Sequence, residues 1–474
     1  MKKILFVLIT VVIVTACDKK ESVDNTKAKY EVIENEKTKR LDSLYTSHFK
    51  RNEFNGNVLV AEGGKIIFQN SYGIADETTN EKLNIETSFE LASVSKQFTA
   101  MGIVQLQKEG KLSYDDLISK YVPELRDYEG ITIKNLLIHT GGLPDYMGIM
   151  EEHWDKSKIA TNEDVIKVFE KLKPEKEFEP NQEYRYSNTG YLILGTIIER
   201  VSGKSFEEYL TEKIFTPLKM KNTFVYQRRF SPKKVNNYAM GYIYSDSLKQ
   251  NILPDDSPEE DYVVFLDGIV GDGMINSNLN DLFKWDRTLY DTTFVNEEDK
   301  NLIFASYPTD SGEETGYGFG WIIRNDSLYG KRVLHGGRWA GYLTLVERHI
   351  DNDKTIIQLI NIENKITTSP AKYARKILYN QPIEQTFVLP EEDLKKFVGT
   401  YVRDKEEEEI TFEFGRLWGG GQYELKPISK TKFVVIGYRP QVTYEFATND
   451  EGVVNSYRVQ QKENDLDKTY IRKI

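Results

Sequence analysis

The stretch Phe89-Glu90-Leu91-Ala92-Ser93-Val94-Ser95-Lys96-Gln97-Phe98-Thr99-Ala100 contains an apolar approach, a serine, and a lysine three residues later. Apolar residues recur at spacings of three and four after Phe98, which predicts a helix. Ser93 is therefore expected near the start of that helix, where free backbone N–H groups favour developing negative charge. Because residues i and i+3 share a helix face, we expect Lys96 to approach the Ser93 hydroxyl.

A serine followed three residues later by lysine is in itself a weak signal, because the pattern recurs in this chain. The serines concerned are Ser47, Ser93, Ser231, Ser369 and Ser429. Two of them precede proline and two lie in polar stretches, so only Ser93 has an apolar helical context. The alternative interpretation of Ser93 is a helix-capping serine beside a solvated lysine. Partner groups elsewhere in the chain decide between the two interpretations.

Length and composition narrow the class of protein. At 474 residues the chain is expected to form two domains, and 39% hydrophobic and 12% aromatic residues support a large packed core. A net charge of −11 without a basic stripe argues against nucleic-acid binding. His48, His153 and His349 are scattered without metal-ligand spacing, so we expect neither a metal nor a cofactor. The oligomeric state stays open.

The beginning of the chain has the pattern of a secretion signal. Lys2 and Lys3 precede the apolar run Ile4–Ala16, which is too short to span a bilayer but typical of a signal peptide. The run ends at Cys17, the single cysteine of the chain, and its last residues resemble a bacterial lipoprotein signal. Residues 1–16 are thus a predicted signal peptide, Cys17 a predicted lipidation site, and 17–38 a predicted polar tether.

This interpretation predicts a membrane partner and a location. The lipid on Cys17 would hold the protein on the periplasmic or extracellular face of a membrane of the cell envelope. A buried, unmodified cysteine is the alternative interpretation of Cys17.

The order of elements predicts an α/β (α+β) fold. Two apolar runs around Glu62-Gly63-Gly64 predict a β-hairpin, and Tyr342–Val346 and Thr355–Ile360 predict a late strand pair. Between them we expect further elements: helices over Ile133–Ile138, Tyr191–Ile198 and Phe206–Ile214, and a strand opening at Tyr317. Residues 39–385 should form an antiparallel sheet flanked by helices with a helical subdomain. Residues 386–474 should form a small all-β barrel or sandwich.

Two further stretches supply partner groups for Ser93. Tyr186-Ser187-Asn188 is the single Tyr-x-Asn among 29 tyrosines. His-x-Gly occurs at His139 and at His335, and only His335 lies on a strand-like run. We interpret His139 as structural, because a predicted helix ends there.

With these residues in place, the chain resembles the serine β-lactamase and DD-peptidase superfamily, on the class C-like branch that also holds esterases and D-amino-acid peptidases. Leu136–Tyr146 and Tyr317–Trp321 are similar to family stretches and occur in family order. The resemblance covers roughly residues 40–380 and implies a β-lactamase or penicillin-binding-protein fold. It further implies a serine hydrolase of the bacterial envelope that needs no metal or cofactor.

The resemblance implies a role for each site residue. Ser93 would be the nucleophile that forms an acyl-enzyme, and Lys96 the primary base or proton shuttle. A lysine can act so only if burial or nearby cations lower its pKa. Tyr186 would share the proton transfer and pass the proton to the leaving group. Asn188 would hydrogen-bond the substrate or hold Lys96.

The strand around His335 would complete the site. The N–H groups of Ser93 and of Arg338, the residue after a His-Gly-Gly strand turn, would form the oxyanion hole. Gly336 and Gly337 would let the substrate backbone come close. β-Lactamases and many DD-peptidases have lysine at the position of His335, whereas histidine is mostly neutral at pH 7.

A neutral His335 weakens the case for efficient β-lactam hydrolysis and favours an ester, an amide or a D-amino-acid peptide as substrate. A true β-lactamase or DD-carboxypeptidase is the alternative enzyme. A penicillin-binding or cell-wall-fragment sensor, which is acylated without turnover or merely binds, is the alternative from another class. A module that merely binds would need none of Ser93, Lys96 and Tyr186.

We predict that Cys17→Ser releases the protein from membranes, because a lipid on Cys17 is the only anchor that the sequence offers. Fractionation of expressing cells into membrane and soluble parts measures this, with Ser93→Ala as a control that keeps the cysteine. Continued membrane association of the Cys17 variant would contradict lipidation and point to an uncleaved signal helix or a protein partner.

Overall fold

The computed structural model describes residues 31–383, 387–461 and 464–473. The predicted signal peptide, Cys17 and most of the predicted tether lie outside the described residues. The first helix begins at Glu36, inside the segment predicted as tether, because the Asn35 side chain caps it and accepts from the Lys37 N–H. Within the described ranges, no helix has the length and apolar character that crossing a membrane requires.

Helices cover both faces of a central sheet. The described α-helices are α1 Glu36–Lys50, α2 Lys96–Lys108, α3 Ile133–Leu137, α4 Tyr146–His153, α5 Asn162–Leu172, α6 Asn188–Ser202, α7 Phe206–Leu210, α8 Tyr262–Phe265, α9 Leu279–Thr288, α10 Glu297–Ile303, α11 Ala371–Leu378 and α12 Glu391–Leu394. Gly203, with φ +70°, ends α6 as predicted. The predicted helix from Phe206 is α-helical only to Leu210 and continues as a π turn.

The central sheet has six strands. They are β1 Gly56–Glu62, β2 Lys65–Tyr72, β3 Ile322–Asp326, β4 Gly330–Trp339, β5 Tyr342–His349 and β6 Lys354–Ile360. Their order is β3-β4-β5-β6-β1-β2, and every neighbouring pair is antiparallel. The early hairpin thus pairs with the late strands through β1 and β6, which confirms the predicted antiparallel sheet.

Alternation along β1 builds two cores. Val58 and Val60 pack with α1 and α11 on one face, whereas Leu59 and Ala61 join the large core beneath the helical subdomain. Short strands border this body at Ile74–Asp76, Glu81–Lys82, Phe89–Glu90, Phe224–Val225, Tyr242–Ser245, Gln250–Ile252, Ile275–Ser277 and Ile362–Glu363. The sheet thus forms a wall beside the residues around Ser93.

The segment from Tyr317 corrects a sequence prediction. The strand begins at Ile322 rather than at Tyr317. The preceding residues turn, and Gly320 has φ +78° with no room for a Cβ beside the Lys96 carbonyl. This turn therefore packs against the first residues of α2.

The C-terminal region is a closed eight-stranded barrel, which decides between the predicted barrel and sandwich. Its strands are β7 Gly399–Arg403, β8 Glu406–Glu413, β9 Arg416–Gly419, β10 Tyr423–Pro427, β11 Lys432–Val435, β12 Thr443–Thr448, β13 Val454–Gln461 and β14 Leu466–Arg472. It has its own aromatic core, including Tyr401, Phe433 and Tyr457. Glu413 of the barrel is paired with Lys249 at 2.8 Å, which joins the barrel to the larger body.

Candidate active site

Ser93 lies on a tight turn that the central sheet supports. The 3-10 turn Ala92–Ser95 leads directly into α2, and Ala92 has φ +48°. Thr344 Oγ1 on β5 donates to the Leu91 carbonyl at 2.7 Å. A Cβ at Gly337 on β4 would collide with the same carbonyl. The absence of a side chain at Gly337 therefore lets β4 lie against the turn that presents Ser93.

The Lys96 ammonium is the centre of the site. Its side chain is buried, and Nζ donates to Ser93 Oγ at 3.1 Å, to Asn188 Oδ1 at 3.0 Å and to the Asp272 carbonyl at 2.8 Å. The approach of Lys96 to Ser93 follows the predicted helix spacing. Asn188 is the first residue of α6. Two contacts were expected for it, with the substrate or with Lys96, and the structure contains the one with Lys96.

The aromatic ring of Tyr186 lies beside the Lys96 ammonium. The ring centroid is 5.2 Å from Nζ, within the range of a cation–π contact. Tyr186 is 38% exposed, and within the described parts of the chain its hydroxyl makes no hydrogen bond. The structure thus brings the Tyr186 ring beside Lys96, but the Tyr186 hydroxyl does not hydrogen-bond Ser93. Hydrogen bonds in active sites are often long when no substrate is bound.

His139 holds the backbone on both sides of Tyr186. Its carbonyl accepts the Arg185 N–H at 3.0 Å, and its Nδ1 accepts the Ser187 N–H at 3.1 Å. The His139 and Tyr186 rings are 4.4 Å apart. Burial, together with the charge of Lys96, keeps the pKa of His139 well below its usual range, so Nδ1 stays an acceptor. His139 therefore has the structural role that we predicted, and it has this role within the candidate active site.

His335 is buried, and its ring centroid lies 6.0 Å from that of Tyr186. It is 3% exposed, its Nδ1 donates to the Gly336 carbonyl at 2.6 Å, and its Nε2 accepts from the Tyr317 hydroxyl at 2.9 Å. Burial and the Lys96 charge lower the pKa of His335 to about 3, so the residue is neutral across the ordinary pH range. The residue proposed for substrate contact is thus bound to Tyr317, a partner that sequence reasoning missed.

Arg338 and the two glycines lie within a continuous strand. The sequence placed Arg338 after a strand turn, but β4 runs through to Trp339. Strand β3 pairs with β4 only as far as Leu334, so the edge of β4 beyond it is open on that side. The Arg338 side chain is 60% exposed, and its Nε donates to Glu363 at 2.7 Å. A Cβ at Gly336 would meet only ordinary contacts.

A cavity of about 220 Å³ opens beside Ser93. It is lined by Glu90, Ala92, Ser93, Tyr146, Met147, Asn188, Tyr262, Leu266, Ile269, Asp272, Gly273, Met274, Arg338 and Trp339. Sequence reasoning assigned no role to Glu90, Tyr146 or Asp272, although Asp272 stands between two glycines. The Tyr146 hydroxyl donates to Asp272 Oδ2 at 3.0 Å, and burial raises the pKa of that carboxyl.

A metal has no evident place in this arrangement. Among the described residues, no group of histidine, cysteine, aspartate and glutamate side chains could hold a metal ion. Ser93 is instead paired with Lys96, and oxygen atoms and aromatic rings surround this pair.

Comparison with known proteins places the chain in a family. The family model described as Beta-lactamase matches residues 44–381. The chain belongs to the beta-lactamase family. It is 40% identical over 427 residues to penicillin-binding protein 4* of Bacillus subtilis strain 168, which covers 86% of this chain and 94% of that protein.

Solved structures of other proteins share the fold. The octameric penicillin-binding protein homologue from Pyrococcus abyssi has a TM-score of 0.66 at 23% identity and covers 92% of this chain and 99% of its own. The D-amino acid amidase from Ochrobactrum anthropi SV3, complexed with D-phenylalanine, has a TM-score of 0.60 at 21% identity, with 73% and 99% covered. These likenesses confirm the penicillin-binding-protein-like fold.

We predict that His139→Ala lowers kcat about tenfold or more for any substrate that Ser93 turns over, with little change in KM, because Tyr186 loses its position. His139→Asn should retain much of the rate, since His139 has φ +60°, which asparagine tolerates, and the asparagine amide oxygen can accept the Ser187 N–H. Steady-state kinetics measure both, with the exposed His153→Ala as control. An unchanged kcat in His139→Ala would contradict the positioning role.

Proposed function

We propose that this beta-lactamase-family protein is a serine hydrolase that forms an acyl-enzyme at Ser93 and hydrolyses an ester, an amide or a D-amino-acid peptide in the bacterial envelope. The observation that carries the proposal is the buried Lys96 Nζ, which lies 3.1 Å from Ser93 Oγ, because Ser93 itself lines the cavity. A helix-capping serine beside a solvated lysine would not have this geometry.

The proposed reaction has two halves. Lys96 must first lose one proton to solvent, and the resulting amine then takes the Ser93 proton while Oγ attacks the carbonyl carbon. Asn188 Oδ1 and the Asp272 carbonyl orient the amine toward Oγ. The N–H groups of Ser93 and Arg338 would stabilise the oxyanion. The proton passes to the leaving group, with Tyr186 as its proposed carrier, and water then releases the acyl group by the reverse sequence.

The absence of charge on His335 supports the proposal that esters and D-amino-acid amides are better substrates than penicillins. A lysine at that position would offer a permanent cation to the carboxylate of a β-lactam, whereas His335 is neutral and buried against Tyr317. The nearest alternative cation, Arg338, is already paired with Glu363. We therefore propose that simple esters and D-amino-acid amides are turned over faster than penicillins.

The similar proteins also support a second candidate enzyme. The name of penicillin-binding protein 4*, which is 40% identical to this chain, favours penicillin as a ligand. A β-lactamase or DD-carboxypeptidase is therefore the second candidate, and an acylated sensor without turnover the third. We also propose that the protein is anchored at Cys17 to a membrane of the cell envelope.

We predict that Ser93→Ala abolishes hydrolysis and labelling by a fluorophosphonate, since Ser93 Oγ is the one hydroxyl that Lys96 Nζ hydrogen-bonds among the described residues. Lys96→Ala and Tyr186→Phe should each lower kcat/KM on the order of 10²-fold or more. Circular dichroism controls for folding, and the exposed Tyr423→Phe is the matched control for the tyrosine. Labelling without steady-state turnover would favour the sensor, and losses below about threefold in both variants would remove Lys96 and Tyr186 from the proton path.

We predict that the protein hydrolyses a neutral p-nitrophenyl ester and a D-amino-acid amide with higher kcat/KM than penicillin G. Arg338→Ala should change little if Glu363 keeps the guanidinium from the substrate, and should raise KM selectively for anionic substrates if it does not. Measuring kcat/KM for the three substrates in both proteins decides this. Penicillin hydrolysis at about 10⁴–10⁸ M⁻¹s⁻¹ with far slower ester hydrolysis would favour the β-lactamase.

A further inference from the structure

The cavity beside Ser93 contains a carboxyl group that the proposed reaction does not use. Glu90 lies three residues before Ser93, is 6% exposed and lines the cavity. Within the described ranges of the chain, its side chain makes no hydrogen bond and no ion pair. A buried carboxyl without a partner costs free energy, so its retention in a binding cavity points to a ligand group that pairs with it.

The arginines nearest to Glu90 are already neutralised. Arg229 is paired with Asp255 at 2.7 Å and with Asp267 at 2.9 Å, and Arg228 is paired with Asp255. Glu90 is therefore an additional acidic group rather than a member of this network. Burial, with the negative charge of Asp267, raises the pKa of Glu90 to about 8.

The remaining walls of the cavity also favour a cation. Asp272 adds a second carboxyl, and Arg338, the one cation among the described lining residues, is paired with Glu363. Tyr262 and Trp339 contact each other edge to face at 4.9 Å and form an aromatic wall, which attracts a cation through its ring faces. A substrate carboxylate would meet two carboxyl groups here, whereas an ammonium can pair with either of them in its ionised form.

We propose that this cavity is an ammonium subsite, in which Glu90 pairs with an amine on the acyl part of the substrate. The inference rests on the proposed Ser93 hydrolase and narrows its substrate class to small acyl groups that carry a free amine. A volume of about 220 Å³ is below the roughly 300–1,000 Å³ that is typical of pockets for drug-sized ligands, so a small acyl group fits.

Paired substrates test the subsite. Each pair joins an aminoacyl p-nitroanilide to the isostere in which a methyl replaces the ammonium: alanyl with 2-methylpropanoyl, β-alanyl with butanoyl, and 4-aminobutanoyl with pentanoyl. We expect the unmodified protein to prefer the amine in at least one pair by about tenfold in kcat/KM, as for a hydrogen bond to a charged group. No preference in any pair overturns the inference.

Glu90→Gln should reduce that preference about tenfold, and the exposed Glu129→Gln, which makes the same change of side chain, should leave it unchanged. Fluorophosphonate titration counts the folded sites, so that rates are compared per active serine. A preference that survives in Glu90→Gln overturns the assignment to Glu90. Turnover of the neutral isosteres without an amine preference rejects only the subsite, whereas the absence of any Ser93-dependent turnover rejects the hydrolase and the subsite with it.

A second measurement uses the unmodified protein and needs no folded variant. An ammonium binds the carboxylate form, so the preference for 4-aminobutanoyl over pentanoyl should rise with pH through the pKa of Glu90 near 8. That amine resembles lysine and stays protonated over this range. The groups that face Glu90 from neighbouring elements are Arg228, Arg229, Tyr238, Asp267, Asp272 and Tyr342. A ratio that is constant from pH 6 to about 9.5 overturns the inference.

Discussion

The burial of the Lys96 ammonium is the constraint on which the rest of the site depends. A buried ammonium without partners costs several kcal/mol, and Lys96 meets this cost with three oxygen atoms from separate parts of the chain. Ser93, Asn188 and Asp272 must therefore come together, which joins the start of α2, the start of α6 and a glycine-rich loop. The catalytic arrangement and the packing of the helical subdomain thus rest on the same hydrogen bonds.

The sheet imposes a second constraint on the same residues. Strand β4 lies against the turn before Ser93 because Gly337 has no side chain, and Thr344 of the next strand donates to the Leu91 carbonyl. Neutral histidines then surround the cation. Both His139 and His335 are buried near Lys96, so its charge and their burial keep them unprotonated. The site therefore has one central cation, with its carboxyl groups, Glu90 and Asp272, on the wall of the cavity.

Short-range patterns in the sequence determined much of this protein. The i,i+3 spacing predicted that Lys96 approaches Ser93, and strand alternation and turn residues predicted the hairpin and the antiparallel sheet. Such features depend on residues close together in the chain, so local geometry is enough to predict them. The helix cap at Asn35 and the turn at Gly320 were also local, but they were missed because the surrounding composition suggested a tether and a strand.

Tertiary structure alone decided the rest. The closure of the barrel depends on pairing between β7 and β14, whose strands are separated by the whole domain. Residue spacing does not predict the hydrogen bond between His335 and Tyr317 or the contact of Lys96 with the Asp272 carbonyl. Glu90 has the same side chain whether it faces solvent, core or cavity. Sequence by itself determines which groups are available, whereas long-range packing decides which of them meet, because side-chain direction and burial are set by neighbours that are distant along the chain.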